Sequence, residues 1–342
     1  MRLLVIRASA MGDVALVTPV LNGLLDKYPD VEVVMLTRST FKPFFSESSR
    51  LKIFAPDFKD RHKGIAGIFR LYNDIKKTNN IDYVIDIHDV LRSKILRTLF
   101  RAGGTPVSVI DKGRKEKIEL ITGKRKIQLK HSVIRYCDAF SKAGFPVEPS
   151  EKQSIAVKTN TPAAGEVLKS FRTINIGIAP YALHMLKMWP EENMILLMKK
   201  ILEDRDVCFV LFGGREEASR LENIKELVPG TVNIAGKLDL ESELAVMSRL
   251  SFMIAMDSSN MHMAALTGTK VISIWGGTDP FGGFGAWMQP DNYAIRISVD
   301  ELTCRPCTIF GKGECKRGDF ACMNWLTPDR LFEMIKETGL LR

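Results

Sequence analysis

Short, continuously apolar runs alternate with helical patterns along almost the whole chain, and this alternation constrains the fold more than any other feature. The first strand-like runs are LLVIRA (3–8), VEVVML (31–36), YVIDIH (83–88) and PVSVI (106–110), separated by helical patterns at 14–28, 65–79 and 91–101. A second series comprises TINIGIAP (173–180), VCFVLFGG (207–214), VNIAG (232–236), FMIAMD (252–257) and VISIWG (271–276). Helical patterns at 191–204, 216–227, 241–250 and 260–267 separate these. A strand apolar on both faces must be covered on both, which parallel sheets flanked by helices achieve. Two such series predict an α/β protein of two Rossmann-like domains, with a ligand cleft between them at the carboxyl ends of the strands. The chain has 342 residues, enough for two domains of ~150 each. The seam falls near 150–172, rich in Pro, Thr and charge, so the domains are expected at 1–158 and 159–342.

Several loops after these strands carry chemistry. Asp257, Ser258, Ser259 and Asn260 form a turn that opens a helix containing His262. A helix start presents unpaired N–H groups and partial positive charge, which suit a phosphate. An ordinary N-cap accounts for the same residues equally well. The first strand runs into Ser9-Ala10-Met11-Gly12-Asp13. Gly12 permits close backbone approach, and the Asp13 carboxylate can accept a hydroxyl proton or simply cap a helix. Lys187 precedes Pro190 and a helix, within reach of an anion or of bulk solvent. Gly213 and Gly214 end a strand and are followed by Glu216 and Glu217, acids able to hold ribose hydroxyls or to favour a first helical turn. No G-x-G-x-x-G or Walker A loop occurs.

Charge and composition narrow the function. Residues 1–158 carry 29 Lys and Arg against 17 Asp and Glu, a net of +12, whereas the remainder is −3. The basic residues are densest at 112–130, where they suit an anionic glycan, lipid headgroups or simple solvation. No nucleic-acid-binding signature accompanies them, so nucleic acid is not an expected partner. No apolar run approaches the ~20 residues of a transmembrane helix, and the start of the chain reads as a strand rather than a signal peptide. A cytoplasmic protein is expected. Cys304, Cys307, Cys315 and Cys322 either offer thiolates to one metal ion or shape a tail loop; their spacing leaves both open.

Five segments in this order resemble glycosyltransferase family 9, the ADP-heptose:lipopolysaccharide heptosyltransferases. They are SAMGD (9–13), DIHDVLRS (86–93), KMWP (187–190), FGG with its acids (212–217) and DSSNMH (257–262). The resemblance spans essentially the whole chain and includes the cysteine-rich tail. It implies a GT-B fold and an inverting transfer of heptose, or a related sugar, from an ADP-sugar to an inner-core hydroxyl of lipopolysaccharide. It makes Asp13 the catalytic base and Lys187 the diphosphate ligand. Asp257, Ser258, Ser259, Asn260 and His262 fall on the donor-binding turn, with Gly213 and Gly214 nearby. Glu216 or Glu217 would hold the ribose, and Leu238 would pack the adenine. From the basic character of the first half, Arg92, Lys94 and Arg97, after the strand ending near His88, are expected to meet an anionic glycolipid acceptor at the inner membrane surface, with Ser9, Met11 and Gly12 also on the acceptor side. Lysine and helix dipole would take the place of a metal, so no metal or other cofactor is expected.

Three departures are visible. Ser259 stands where the family usually has the Gly of Asp-Thr-Gly. Tyr181 to His184 replace a hydroxyl-rich stretch, and His88-Asp89 replace the usual Gln-Gly. Two other readings fit the same fold: a non-catalytic nucleotide-sugar-binding protein, which would not need Asp13, and a nucleotide-sugar epimerase, which would not need a basic acceptor surface. The donor sugar, the acceptor hydroxyl and the oligomeric state are not written in the sequence.

Overall fold

The computed structural model describes residues 1–151 and 153–341. The first strand series forms a five-stranded sheet in which every pairing is parallel. In chain order its elements are β1 (Arg2–Ile6), α1 (Met11–Ala15), α2 (Thr18–Lys27), β2 (Glu32–Leu36), β3 (Leu51–Phe54), α3 (Gly64–Thr78), β4 (Tyr83–Asp86), α4 (Leu91–Ala102) and β5 (Val107–Val109). The sheet order is β3-β2-β1-β4-β5. Leu4, Ile6, Val34, Leu36 and Val84 pack against Ile68 and Ile75 of α3 and Phe100 of α4. The pattern at 14–28 is two helices rather than one. Pro19 sits in the first turn of α2, where its missing N–H costs nothing, and fixes a fresh helix start. Strand β3 has no counterpart in the sequence reading. It is a four-residue edge strand with exposed Lys52, too short to give an apolar signal.

After β5 come α5 (Arg114–Ile121) and α6 (Ser132–Lys142), which belong to different units. Residues 1–112 and 132–156 form the first compact unit; residues 113–131 and 157–342 form the second. The chain therefore passes between units three times, where a single division at 158 has it pass once. The cause is visible in the partners of 113–131. Leu129 N–H donates to Phe281 O at 2.8 Å, Gln128 to Pro280 O at 3.1 Å and Lys126 to Thr303 O at 2.6 Å. The Lys117 ammonium sits 4.3 Å from the Phe284 ring centroid. This segment holds seven Lys and Arg against two Glu. By unit, the formal charge is therefore +6 and +3, and the +12 against −3 asymmetry largely dissolves.

The second unit continues with α7 (Pro162–Leu168), β6 (Ile174–Ala179), α8 (Glu191–Asp204), β7 (Val207–Leu211), α9 (Ala218–Leu227), β8 (Thr231–Asn233) and α10 (Leu240–Met247). Then come β9 (Phe252–Met256), α11 (Ser259–Leu266), β10 (Val271–Ile274), β11 (Ala294–Ile295), α12 (Ala321–Asn324) and α13 (Pro328–Glu337). Its six strands are all parallel, in the order β11-β10-β9-β6-β7-β8. Ile176, Ile178, Phe209, Phe252 and Ile272 bury against Leu197, Met198 and Ile201 of α8. Each such side chain contributes about 1.5–3 kcal/mol by leaving water. Helix α13, absent from the sequence reading, packs on α8.

In both sheets the strand order reverses once. The chain winds outward from β1 through β2 and β3, then restarts on the other side of β1 with β4. It does the same from β6 through β8, restarting beside β6 with β9. Diverging connections at such a reversal leave a crevice outside the carboxyl ends of the two central strands, the usual ligand position in open α/β sheets. Among the described residues no helix is long and apolar enough to cross a membrane.

Candidate functional site

The first reversal lies between β1 and β4, and the segments that leave these strands are 7–13 and 87–93. Asp13 sits in α1 with its side chain 31% exposed, and Arg7 Nη2 lies 2.5 Å from its Oδ2. Arg7 is buried at the end of β1 and also donates to Ile87 O at 2.8 Å. Its guanidinium lies 5.8 Å from the Tyr136 ring centroid, and the Tyr136 hydroxyl donates to Asp13 O at 3.3 Å. Ala10 N–H reaches Asp13 Oδ2 at 3.4 Å. The carboxylate is thus fixed from behind and open in front. Gly12 is buried, with Met11 and Ser9 half-buried beside it.

His88 stands next to this carboxylate. Its Nδ1 accepts Ala8 N–H at 3.5 Å, and its Nε2 lies 3.3 Å from Ser9 Oγ. Burial, and then the nearby Arg7 charge, push the imidazole down to about 4, so it is neutral at pH 7. Asp86, wholly buried at the end of β4, accepts His88 N–H at 3.0 Å and Asp89 N–H at 2.9 Å.

The three basic residues expected to face an acceptor divide into two kinds. Arg97 reaches Asp86 at 2.7 Å and Asp89 at 3.0 Å, so it neutralises the buried end of β4. Lys94 lies 3.8 Å from the same Asp89. Arg92 is exposed, stacks 4.6 Å from the Phe58 ring centroid, and borders a cavity of about 350 Å³. That cavity has apolar walls from Ile68, Leu71 and Leu96, and polar groups from Ser9, His88, Arg38 and Arg92. Arg38, just past β2, carries no local sequence signal that points to it. Among the described residues neither Arg38 nor Arg92 has a carboxylate within ion-pair distance.

The second reversal lies between β6 and β9, and Lys187 and Asp257 follow those strands. Lys187 Nζ lies 2.8 Å from Asp257 Oδ2; the two side chains are 16% and 6% exposed. Two contacts anchor the short 3₁₀ turn Met185–Lys187. Trp189, two residues beyond it, is buried, and its indole N–H donates to Leu326 O at 2.8 Å and Met323 O at 3.2 Å. Gly277 N–H donates to Leu186 O at 2.8 Å, tying the loop after β10 to the same turn. Ser258 is the N-cap of α11, and Ser259 and Asn260 form its first turn. The Ser258 hydroxyl is buried and makes no hydrogen bond among the described residues. His262 is buried on this helix.

The acids after β7 are not equivalent. Glu217 accepts Gly214 N–H at 2.6 Å and so closes the turn Arg215–Glu217, while Glu216 is exposed. Gly213 lets this turn close, since a Cβ there would lie 2.8 Å from Glu217 Oε2. Leu238 is half-buried just before α10.

Sequence reasoning missed Arg305. It is buried and donates to the carbonyls of Trp275, Gly276, Thr278 and Ile297, and lies 3.4 Å from Asp279. It therefore holds the whole loop after β10. An arginine between two tail cysteines gives no local hint of this. The four tail cysteines line a cavity of about 270 Å³ in the second unit. Among the described residues no group of three His, Cys, Asp or Glu is arranged to hold a metal ion.

Two parallel α/β units of this topology, each with its single strand reversal, make up the GT-B fold. A family profile described as glycosyltransferase family 9 (heptosyltransferase) matches residues 68–308. The chain belongs to that family and is an enzyme. It is 25% identical over 302 residues to lipopolysaccharide heptosyltransferase 1 of Escherichia coli K12, covering 83% of this chain and 91% of that protein. It is 24% identical over 283 residues to the lipopolysaccharide core heptosyltransferase OpsX of Haemophilus influenzae, covering 81% and 80%. The crystal structure of a family 9 glycosyl transferase from Veillonella parvula superposes with a TM-score of 0.75 at 20% identity, over 99% of this chain and 97% of that one.

Proposed function

We propose that this enzyme transfers a heptose from an ADP-sugar to a hydroxyl of an anionic glycolipid acceptor, the lipopolysaccharide inner core, with inversion at the anomeric carbon. The observation that carries the reading is Asp13: a carboxylate gripped by Arg7, yet open to solvent at the β1/β4 reversal. A binding protein would have no use for it. The acceptor hydroxyl oxygen attacks the anomeric carbon while its proton passes to Asp13. The bond from that carbon to the diphosphate breaks, and ADP leaves. Ser9, Met11, Gly12 and the neutral His88 border the attacking group, and Arg92 meets an acidic group of the acceptor.

Lys187 and the opening N–H groups of α11 stabilise the charge that develops on the diphosphate. Asp257 aims the lysine. Fixed cationic and dipolar groups of this kind do the work of a metal ion, so the reaction proceeds without one. Glu216 takes the ribose, because Glu217 is occupied by its own turn, and Leu238 packs the adenine. Such an acceptor places the enzyme in the cytoplasm, at the inner face of the membrane.

The test is nucleotide release from ADP-heptose, other ADP-sugars and UDP- or GDP-sugars, with and without a lipid A–Kdo acceptor. Release from ADP-heptose should depend on acceptor. Equal release without acceptor, or from UDP-sugars, would replace this reading.

A further inference from the structure

The starts of α3 and α4 lie at the same end of the first unit, beyond the carboxyl ends of β1 and β4, because helices of a parallel sheet run back against the strands. Helix pairing agrees with this alignment: Tyr72 of α3 meets Phe100 of α4 edge-on at 4.9 Å, eight and nine residues from the respective starts. At this end four large apolar side chains face water. Ile65 and Phe69, one turn apart on α3, are 66% and 48% exposed; Val90 and Leu91 at the start of α4 are 36% and 75% exposed. Beside them, residues 57–70 carry four Lys and Arg, Lys59 included, against two Asp, and residues 90–97 carry three and no acid. Arg61 is spent on Asp74, Arg97 on Asp86 and Asp89, and Lys94 approaches Asp89. Lys63, Arg70 and Arg92 have no carboxylate within ion-pair distance among the described residues.

We propose that Ile65, Phe69, Val90 and Leu91 form a face that inserts into an anionic lipid bilayer, with Lys63 and Arg70 meeting the headgroups. Apolar tips ringed by cations on long stems are the arrangement that interfacial docking requires: the tips enter the acyl boundary while the charges stay at headgroup level. A protein partner would equally cover apolar tips, but the uncompensated cations around them select an anionic surface. Val90, Leu91 and Arg92 also line the 350 Å³ cavity that reaches Ser9 and His88. Docking by this face brings a membrane-borne substrate to the cavity mouth. The purpose of the face rests on the glycolipid acceptor proposed above, although its membrane binding can be read without any reaction.

The experiment is co-sedimentation with vesicles of phosphatidylcholine alone and of phosphatidylcholine with phosphatidylglycerol. The wild type should bind the anionic vesicles, less as salt rises, and should not bind the neutral ones. The double variant Ile65→Glu/Phe69→Glu should weaken binding by at least about tenfold, given the apolar area withdrawn and the charge added. Its transfer to a deacylated, water-soluble acceptor should match wild type, since neither residue lines the cavity. Leu227→Glu, a comparable exposed position on α9, should bind as wild type does. Unchanged binding by the double variant would overturn the proposal. So would loss of binding in Lys124→Glu/Arg125→Glu, which would move the membrane contact to the second unit. Failure of the wild type to use any acceptor would instead count against the proposed function and leave the vesicle result standing.

Discussion

At the scale of single residues, the proposed mechanism turns on two ion pairs with different duties. In Arg7–Asp13 the buried cation positions a partly exposed carboxylate; in Lys187–Asp257 the more buried carboxylate positions the cation. Asp13→Asn keeps the shape and removes the proposed proton acceptor. It should lower kcat by about 10²–10⁴-fold and leave ADP affinity unchanged in calorimetry. Turnover near wild type would remove Asp13 from the mechanism. Lys187→Ala removes the proposed charge-assisted contact to the diphosphate and should weaken ADP binding by about 1.5–3 kcal/mol. Calorimetry showing equal affinity would leave Lys187 a structural partner of Asp257 only. Asp13, Lys187 and Asp257 stand out in the sequence because each lies in the segment that leaves an apolar strand. Arg7 does not: it reads as part of the strand-like run LLVIRA, and its partners Ile87 and Tyr136 are distant in sequence. Arg97 reads as an acceptor ligand because its acid, Asp86, stands eleven residues earlier at the end of a buried strand.

At the scale of elements, the proposed donor half-site depends on loops that brace one another. The loop after β10 touches the Lys187 turn through Gly276 and Gly277. A Cβ on Gly276 would lie 2.8 Å from Leu186 O, a backbone atom that cannot step aside alone. Gly276→Ala should therefore cost about 1–3 kcal/mol of stability and weaken ADP binding with it. A melt and an ADP titration both matching wild type would show the turn to be more yielding than its contacts indicate. Arg305→Met leaves four carbonyls without their donor and Asp279 short of a cation. Truncating one side of such a buried network costs roughly 3–5 kcal/mol, measurable by urea unfolding. The regular elements are largely readable: α8 falls on 191–204 as its periodicity predicts. Edge strands β3 and β11, of four and two residues, carry too little apolar pattern to be read. The passage of 113–131 into the second unit is set by contacts more than 150 residues away, which no local window contains.

At the scale of the whole molecule, each unit has a half-buried histidine that stays neutral at pH 7, His88 in the first and His131 in the second. Burial and Arg7 push His88 down to about 4, and burial does the same to His131, whose ring packs 4.9 Å from Trp287. In the unfolded chain both titrate near 6.5, so below that pH the unfolded state binds more protons. Their contribution is complete above pH 6.5 and is lost as pH falls toward 4, by up to about 3 kcal/mol each. Urea unfolding of His88→Gln/His131→Gln should therefore depend less on pH between 6.5 and 4 than wild type; equal slopes would show that neither histidine is held neutral. The two units also share one design, an ion pair near the single strand reversal of a parallel sheet, and the proposed chemistry gives each pair a role. That chemistry has a stereochemical signature. Direct attack by a hydroxyl activated at Asp13 leaves no covalent intermediate and reverses the anomeric centre. The decisive measurement is the NMR anomeric configuration of the glycolipid formed from ADP-heptose and a lipid A–Kdo acceptor. A single displacement predicts a heptosyl bond of configuration opposite to the donor's; a retained configuration, or free heptose in place of a glycolipid product, would contradict it.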